Sequence, residues 1–285
     1  MTQIVNVPVL LPHEAFQKVW DSGSFQRTIC AGPHVLESFW KEISDHPAVR
    51  NHPVRNIDGF ERRAVPLLLH GDGAAVTQQI GSGSKSCLFL SWKSMVGNSK
   101  DTKDAHILIG AIWSHLCVST SHFDTSKSFW KVVSKSFNFM LNSAGDTTGG
   151  FFGCLLFTTG DLEYYNSFLG QARWNANFPC PLCNVHLSNV GNFRSVTDVS
   201  VDQWDSLPRQ GQSCPLFHSL LSPLAICPDW MHSKHLGTDQ RLLGSVAWVL
   251  LFEVDTEGPL EQRLFNLLEE LKETQFQHNN YFVLF

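Results

Sequence analysis

The chain has 285 residues, of which 43% are hydrophobic and only 16% are charged. This composition excludes an intrinsically disordered chain and supplies enough apolar material for one large domain or two smaller ones. The net charge of −5 excludes a bulk polycation, so any nucleic-acid contact must come from local basic patches. Two candidate patches, each more simply interpreted as solvated surface, are Lys127, Lys131 and Lys135 at helical spacing, and Arg50, Arg55, Arg62 and Arg63.

The first residues, MTQIVNVPVLLPHEAF, lack the charged start and the continuous apolar core of a signal peptide. The longest apolar stretch, LLGSVAWVLLF at 242–252, is shorter than the roughly 18 to 20 residues that span a bilayer. Eight cysteines in such a chain favour thiols or metal ligands over disulfides. We therefore expect an intracellular, soluble protein with no membrane contact.

Residues 1–60 are predicted to form a lead-in segment with short helices over EAFQKVW and HVLESFWKEI, interrupted by His-Pro pairs at 46–47 and 52–53. Three apolar segments then predict strands: AVPLLLHGDGAAVT at 64–77, KSCLFLSWKSMV at 85–96 and HILIGAIWSHLCVS at 106–119. Between the first two, GSGSKS lacks the glycine directly before lysine that a phosphate-binding loop requires, so a hairpin turn is favoured.

The segment DTSKSFWKVVSKSFNFMLN at 124–142 has helical periodicity, and Asp124 is a good N-cap. A fourth strand, FFGCLLFTTGD, and a helix beginning at LEYYNSFLG follow it. Three consecutive strands should form an antiparallel meander, and a helical crossover should make the fourth strand parallel to one of them. The predicted class is α/β (α+β), with a mixed sheet and flanking helices.

Regular patterns fade beyond residue 170. The segment NFPCPLCNVH reads as a turn-rich knuckle, and residues 187–228 are loop-rich. Helical periodicity returns in LGTDQRLLGSVAWVLLFEV, and LEQRLFNLLEELKET at 260–274 predicts an amphipathic helix. We therefore divide the chain into the lead-in segment 1–60, a sheet domain with the knuckle at 61–235, and a helical segment at 236–285.

Two aspartates stand at the predicted strands. Asp72 lies in the first strand between two glycines, and Asp161 ends the fourth strand where a helix begins. If these strands are neighbours, the carboxylates converge at one edge, where Mg²⁺ or Mn²⁺ would hold them together. The alternative makes Asp72 a turn residue and Asp161 a helix N-cap, and the residues alone do not decide.

A second metal site is predicted at the knuckle. Cys180 and Cys183 have the CxxC spacing of tetrahedral Zn²⁺ ligands. A redox pair is less favoured, because such motifs open a helix after a strand and Pro-Cys-Pro does not. The segment DWMHSKHLG offers His232 and His235 as further ligands, and His186 is a local alternative.

The motifs PLLLHGDG, GDLEYYNSFLG, PCPLC and PDWMHSKHLG, in this order, resemble the CACTA-type (En/Spm-like) DNA transposases over residues 60–250. The resemblance implies an RNase H-like DDE domain in which Asp72 and Asp161 are the first two catalytic acids. In such a sheet the glycines that flank Asp72 would let backbone and metal approach closely. It also implies that Cys180, Cys183 and His232 belong to the family's cysteine–histidine motif. The implied activity is Mg²⁺-dependent phosphoryl transfer on DNA, at transposon ends and target, in the nucleus and with a homo-oligomer as one arrangement.

The sequence departs from the family pattern at two places. His235 stands where many relatives carry an acid. The family places its third catalytic acid after a long helical insertion, whereas Glu253, Glu257 and Glu261 come too early and the sequence given ends at Phe285. We therefore expect the third acid to be missing from this chain, and with it the positioning that strand transfer requires.

A rival hypothesis from another class is a non-enzymatic module, stapled by zinc, that binds DNA or protein. The two hypotheses differ in the relation between Asp72 and Asp161. Neighbouring strands that end in these residues favour the catalytic interpretation, and wide separation of the two favours the rival.

Overall fold

The computed structural model describes residues 6–77, 85–98, 105–120, 123–143, 145–161, 163–171, 175–177, 186, 188, 214–229, 245–246, 248–254 and 258–277. Contacts within the chain divide it into two compact units, Met1–Pro228 and Asp229–Phe285. Within the described ranges, no helix combines the length and the apolar character that crossing a bilayer requires.

The first unit is built on a five-stranded mixed sheet in the order β3-β2-β1-β4-β5. The strands are β1 Ala64–Thr77, β2 Lys85–Ser94, β3 Ile107–Trp113, β4 Phe152–Gly160 and β5 Ile226–Pro228. The β1–β2 and β2–β3 pairs are antiparallel, whereas the β1–β4 and β4–β5 pairs are parallel. The predicted meander with a following parallel strand is therefore confirmed, as is the mixed α/β class.

Helices surround this sheet. In the described part of the first unit they are α1 Pro12–Asp21, α2 Phe25–Thr28, α3 Pro33–Glu42, α4 Pro47–Arg50, α5 Phe60–Arg63, α6 Thr125–Asn142 and α7 Leu216–Ser219. The start of α6 is set by local chemistry, because the Asp124 carboxylate accepts the backbone N–H of Lys127 at 2.9 Å. The predicted N-cap is thereby confirmed.

The two His-Pro pairs begin helices as well as interrupting them. His46 precedes α4, and His52 precedes the 3₁₀ turn Pro53–Asn56. Each imidazole accepts the backbone N–H two residues further along, at 3.2 and 3.1 Å respectively. The proline that follows each histidine has no N–H to satisfy and is suited to the first helical position.

The third strand is shorter than its apolar run predicts. It ends at Trp113, where a 3₁₀ turn over Ser114–Leu116 begins and the N–H of Cys117 bonds to the carbonyl of Ser114 at 3.2 Å. Leu116 and Val118 are 41% and 42% exposed. Apolar character alone does not extend a strand where neither a partner strand nor a packed layer covers it.

One face of the sheet packs against α1 and α6, and we call it the core face. Leu67 and Trp92, on β1 and β2, are fully buried there. The ring of Phe16 in α1 lies 6.3 Å from that of Trp92 between centroids. Met140 of α6 sits so close to β4 that its sulfur would lie 2.0 Å from a Cβ at Gly153. A glycine in β4 therefore allows α6 to approach the sheet.

The lead-in residues before position 60 share this hydrophobic core with the sheet. The Trp40 indole N–H in α3 donates to the carbonyl of Ala64 at 2.9 Å, in a buried position. His52 bonds through Nε2 to the carbonyl of Leu155 on β4 at 3.1 Å. These contacts tie the short helices to β1 and β4 by satisfying polar groups inside the core.

The second unit contains α8, Leu260–Gln277, which confirms the helix predicted at 260–274. A π-helical turn at Leu250–Val254 precedes it. The rings of Trp248 and Phe252 lie 4.3 Å apart, and the Arg263 guanidinium lies 5.6 Å from the Phe252 ring centroid. This cation–π contact links the turn to α8 within the unit.

His52 is neutral in the folded protein. It is 5% exposed, and because its Nδ1 accepts the Val54 N–H, the proton resides on Nε2, which donates to Leu155. Burial lowers the pKa of His52 below its usual value. Protonation would charge a buried ring and place a second donor against the Val54 N–H.

We predict that the free energy of unfolding decreases as the pH falls below about 6.5, because the unfolded chain then binds a proton at this histidine that the folded protein refuses. His52→Gln should lower stability by about 1–3 kcal/mol at neutral pH through lost buried hydrogen bonds. It should also flatten the decline between pH 7 and pH 5. Urea unfolding across that range measures both effects. His34→Gln, at an exposed position, is the control, and an unchanged pH slope in His52→Gln would contradict the prediction.

Candidate functional site

Asp72 lies inside β1, directly opposite Phe89 of β2. The interpretation of Asp72 as a turn residue is therefore wrong. Its side chain is exposed, so the carboxylate keeps its hydration and the cost of burying a charge does not arise. Because side chains alternate along a strand, Asp72 and His70 share the face opposite the core face, which we call the open face.

The pairing of β1 with β4 places Asp161 close to Asp72 along the chain direction of the two strands. In the parallel β1–β4 pair, Gly71 and Gly160 are direct partners. Asp72 and Asp161 each follow by one position, on strands that are about 4.8 Å apart. The expectation that these strands are neighbours is confirmed. The separation of the two carboxylates stays a prediction, at no more than about 8 Å, a distance that one ion with its bound water can bridge.

Asp161 also caps the segment that follows. Its Oδ1 accepts the backbone N–H of Tyr164 at 2.6 Å, and its carbonyl accepts that of Tyr165 at 3.2 Å. The predicted helix is here a π-helical turn, Tyr164–Phe168, with Glu163 at its N-cap position. Asp161 lies two residues earlier and caps the turn through its side chain, which is the capping role that the sequence offered as the alternative. A carboxylate held through Oδ1 retains Oδ2 as an acceptor, so the cap and a cation are compatible.

The glycine before Asp72 has a different role from the one expected. A Cβ at Gly71 would lie 2.1 Å from Cδ2 of Tyr164, and one at Gly160 would lie 2.3 Å from Cδ1 of the same ring. The ring thus lies across the paired glycines, and its hydroxyl bonds to Thr158 Oγ1 at 2.9 Å. Gly71 admits an aromatic ring rather than a metal, whereas a Cβ at Gly73 would meet nothing within 4 Å.

Sequence reasoning missed Tyr164. Its signal is a glycine directly before each of the two aspartates, with an aromatic residue three positions after the second aspartate. The side chain is fully buried, and burial raises its pKa above the usual range. The phenol is therefore a neutral packing group, not an acid or base.

A buried cysteine–histidine pair resembles a nucleophile and its base. Cys154 Sγ lies 3.6 Å from His52 Nδ1. Burial raises the pKa of the Cys154 thiol and lowers the pKa of His52, so neither charged form is favoured. A thiolate nucleophile is not supported here.

Other arrangements in the described residues do not enlarge the carboxylate site. No group of three or more His, Cys, Asp or Glu side chains in those ranges is arranged to hold a metal ion. A groove of about 590 Å³ between α1 and α6 is lined by residues that include His13, Lys18 and Phe139, but neither aspartate. Within the part of the chain that the structure describes, Asp72 and Asp161 therefore stay the candidate ligands, as a pair of carboxylates.

The predicted zinc ligands Cys180, Cys183, His232 and His235 lie outside the described residues. The alternative ligand His186 is described, and its Nδ1 bonds to Ser188 Oγ at 2.8 Å. The zinc knuckle therefore stays a prediction from spacing.

No protein-family model and no curated protein matches this chain. The chain's own residues, strand order and register are therefore the features that bear on its function.

We predict that Gly71→Ala destabilises the protein by at least about 1–3 kcal/mol, because the added methyl group overlaps the Tyr164 ring, whose buried position leaves it little room to move. Gly73→Ala, two positions along the same strand, should stay within about 0.5 kcal/mol of the wild type. Chemical denaturation of both variants measures the contrast. Equal stability of the two variants would show that the ring does not depend on the paired glycines.

We further predict one zinc ion per chain, bound by Cys180 and Cys183 with His232 and His235. Cys183→Ser should lose the metal, and chelation should lower the melting temperature of the wild type but not that of Cys183→Ser. Cys117→Ser, which changes an exposed cysteine elsewhere, is the control. Purified protein without zinc by elemental analysis, and indifferent to chelator, would refute the site.

Proposed function

We propose that the first unit is the RNase H-like domain of a CACTA-type DDE transposase-like protein, and that it binds a divalent metal at Asp72 and Asp161, the first two of the three acids that phosphodiester cleavage and strand transfer require in that family. One observation carries the proposal. The direct pairing of Gly71 with Gly160 places the two residues that match the family's first two acids one position after paired residues of neighbouring parallel strands.

The strand order supports the same conclusion. In the sheet β3-β2-β1-β4-β5, the strand that carries Asp72 is central. An RNase H-like domain requires a central strand that carries one catalytic aspartate. A helical crossover then leads to a parallel neighbouring strand, which is followed by the second catalytic aspartate. The rival hypothesis of a non-enzymatic module gives no reason why Asp72 and Asp161 should follow directly paired residues on neighbouring strands.

The state of each carboxylate also suits metal chemistry. Asp72 is exposed, and Asp161 is oriented through Oδ1 by the Tyr164 N–H. Hard carboxylate oxygens of this kind bind Mg²⁺ or Mn²⁺, with water completing the coordination. The bound ion would stabilise charge during in-line displacement at a phosphodiester. A zinc knuckle, a nuclear location and transposon DNA as partner belong to the same proposal.

We predict that the protein binds Mn²⁺ at one site, and that Asp72→Asn and Asp161→Asn each weaken binding at least about tenfold because a charged ligand is lost. Asparagine caps a helix as well as aspartate does, so Asp161→Asn tests the metal with the cap retained. Mn²⁺ titration followed by electron paramagnetic resonance measures the effect.

Asp58→Asn is the matched control, since Asp58 is an exposed aspartate preceding α5. Loss of binding confined to the two site variants supports the proposal. If Asp72→Asn bound Mn²⁺ with the affinity of the wild type, the metal would not be bound at Asp72, and the non-enzymatic module would be favoured.

A further inference from the structure

The two basic patches that the sequence offers differ in the folded protein. In the arginine patch, Arg55 and Arg63 donate to backbone carbonyls at 3.2 and 2.9 Å respectively. Arg62 forms an ion pair with Glu37 at 3.2 Å. Three of the four guanidinium groups in that patch thus have partners within the chain, so the lysine patch is the stronger candidate for binding an external partner.

The lysine patch lies on one exposed side of α6. Lys127, Lys131 and Lys135 are all exposed and follow one another at four-residue intervals. Because a helix rises 1.5 Å per residue, they are spaced about 6 Å apart along the axis. Ser128 and Asn142 are exposed on the same side. We call these five residues the lysine face.

The charge of the lysine face has a single sign. The sequence of α6 contains three lysines and no acidic residue. In contrast, α1 and α3 each carry acidic and basic residues together. The whole chain has a net charge of −5, so this row of like charges departs from the average of the protein. A local positive potential on α6 follows from that arrangement.

The acidic residue at the start of α6 is engaged by the helix itself. The Asp124 carboxylate accepts the backbone N–H of Lys127 at 2.9 Å and the hydroxyls of two neighbouring serines at 2.8 and 2.6 Å. Lys131 and Lys135 lie about 10 and about 16 Å further along the axis. At physiological ionic strength, charges at such distances are largely screened from each other. Lys131 and Lys135 are therefore the residues on which a charge-based contact depends most.

We propose that the lysine face of α6 binds the phosphate backbone of double-stranded DNA. A row of ammonium groups neutralises phosphates without reading the bases, and serine and asparagine side chains donate hydrogen bonds to phosphate oxygens. Because α6 packs on the core face and Asp72 lies on the opposite face of the sheet, this surface contributes affinity and not chemistry. The choice of DNA as the polyanion rests on the proposed function.

An anionic lipid surface is the alternative polyanion. A helix that lies in a membrane interface directs a broad apolar face outward. In α6 the large apolar residues Phe129, Trp130 and Phe137 are buried against the rest of the protein. The exposed Phe139 is placed beside α1, with its ring centroid 4.8 Å from that of His13. The outward side of α6 is therefore mainly polar, which favours DNA.

The test measures binding of a fluorescent double-stranded oligonucleotide in EDTA, over a series of salt concentrations. The double variant Lys131→Gln with Lys135→Gln should bind severalfold more weakly than the wild type. The slope of log K against log salt should fall in magnitude by about 1.8, the value for two phosphate contacts on B-DNA. Both side chains are exposed, so the fold should be retained, and circular dichroism checks this.

The matched control is Arg27→Gln with Lys41→Gln, which removes two exposed positive charges from α2 and α3. The two double variants have the same net charge, so a difference between them reports the position of the charges. Equal losses in both, or wild-type DNA affinity in the α6 variant, would overturn the proposal. Binding to phosphatidylserine vesicles that requires the α6 lysines, without DNA binding that requires them, would also overturn it.

The EDTA condition separates this proposal from the proposed function. Mn²⁺ affinity should be unchanged in the α6 double variant, because the lysine face and Asp72 lie on opposite sides of the sheet. DNA binding that depends on Lys131 and Lys135, with Mn²⁺ binding unaffected by Asp72→Asn, would keep the DNA surface and reject the metal site. The reverse result would keep the metal site and reject the lysine face.

Discussion

The arrangement of the sheet edge depends on one aromatic ring lying across two paired glycines. Tyr164 occupies the space that side chains at Gly71 and Gly160 would fill. Its backbone N–H orients Asp161, and its hydroxyl is satisfied by Thr158 inside the core. Because the ring lies on the core face, strand alternation directs Asp72 to the opposite face. Two adjacent residues of β1 therefore have different roles: Gly71 makes room for the packed ring of Tyr164, and Asp72 carries the candidate metal-binding carboxylate.

Burial, rather than the choice of sheet face, determines the state of the titratable groups. His52 and Cys154 contact each other in the core and are kept neutral by desolvation. Cys154 pairs with Pro66, so strand alternation places it on the same face of the sheet as Asp72, but Asp72 is exposed and stays hydrated. Charged chemistry at Asp72 is therefore possible because this part of the face is exposed to solvent.

The proposed metal site has consequences for the electrostatics of the surface. The carboxylates of Asp72 and Asp161, on neighbouring strands, would attract a divalent ion. With a net charge of −5, the whole protein does not attract a polyanion, so a nucleic-acid strand depends on local groups for its position. A bound metal ion at Asp72 would also reduce the repulsion between that carboxylate and a neighbouring phosphate.

The sequence by itself determined the features that arise from short-range chemistry. The predicted limits of β1 agree with the structure, as does the N-cap at Asp124, because periodicity and capping involve residues a few positions apart. Only the tertiary structure decided that Gly71 pairs with Gly160, that Tyr164 fills both positions, and that His106 meets His70. Register and cross-strand contacts depend on packing between segments far apart in the chain, and the pattern of a single segment carries no information about the neighbour it will meet.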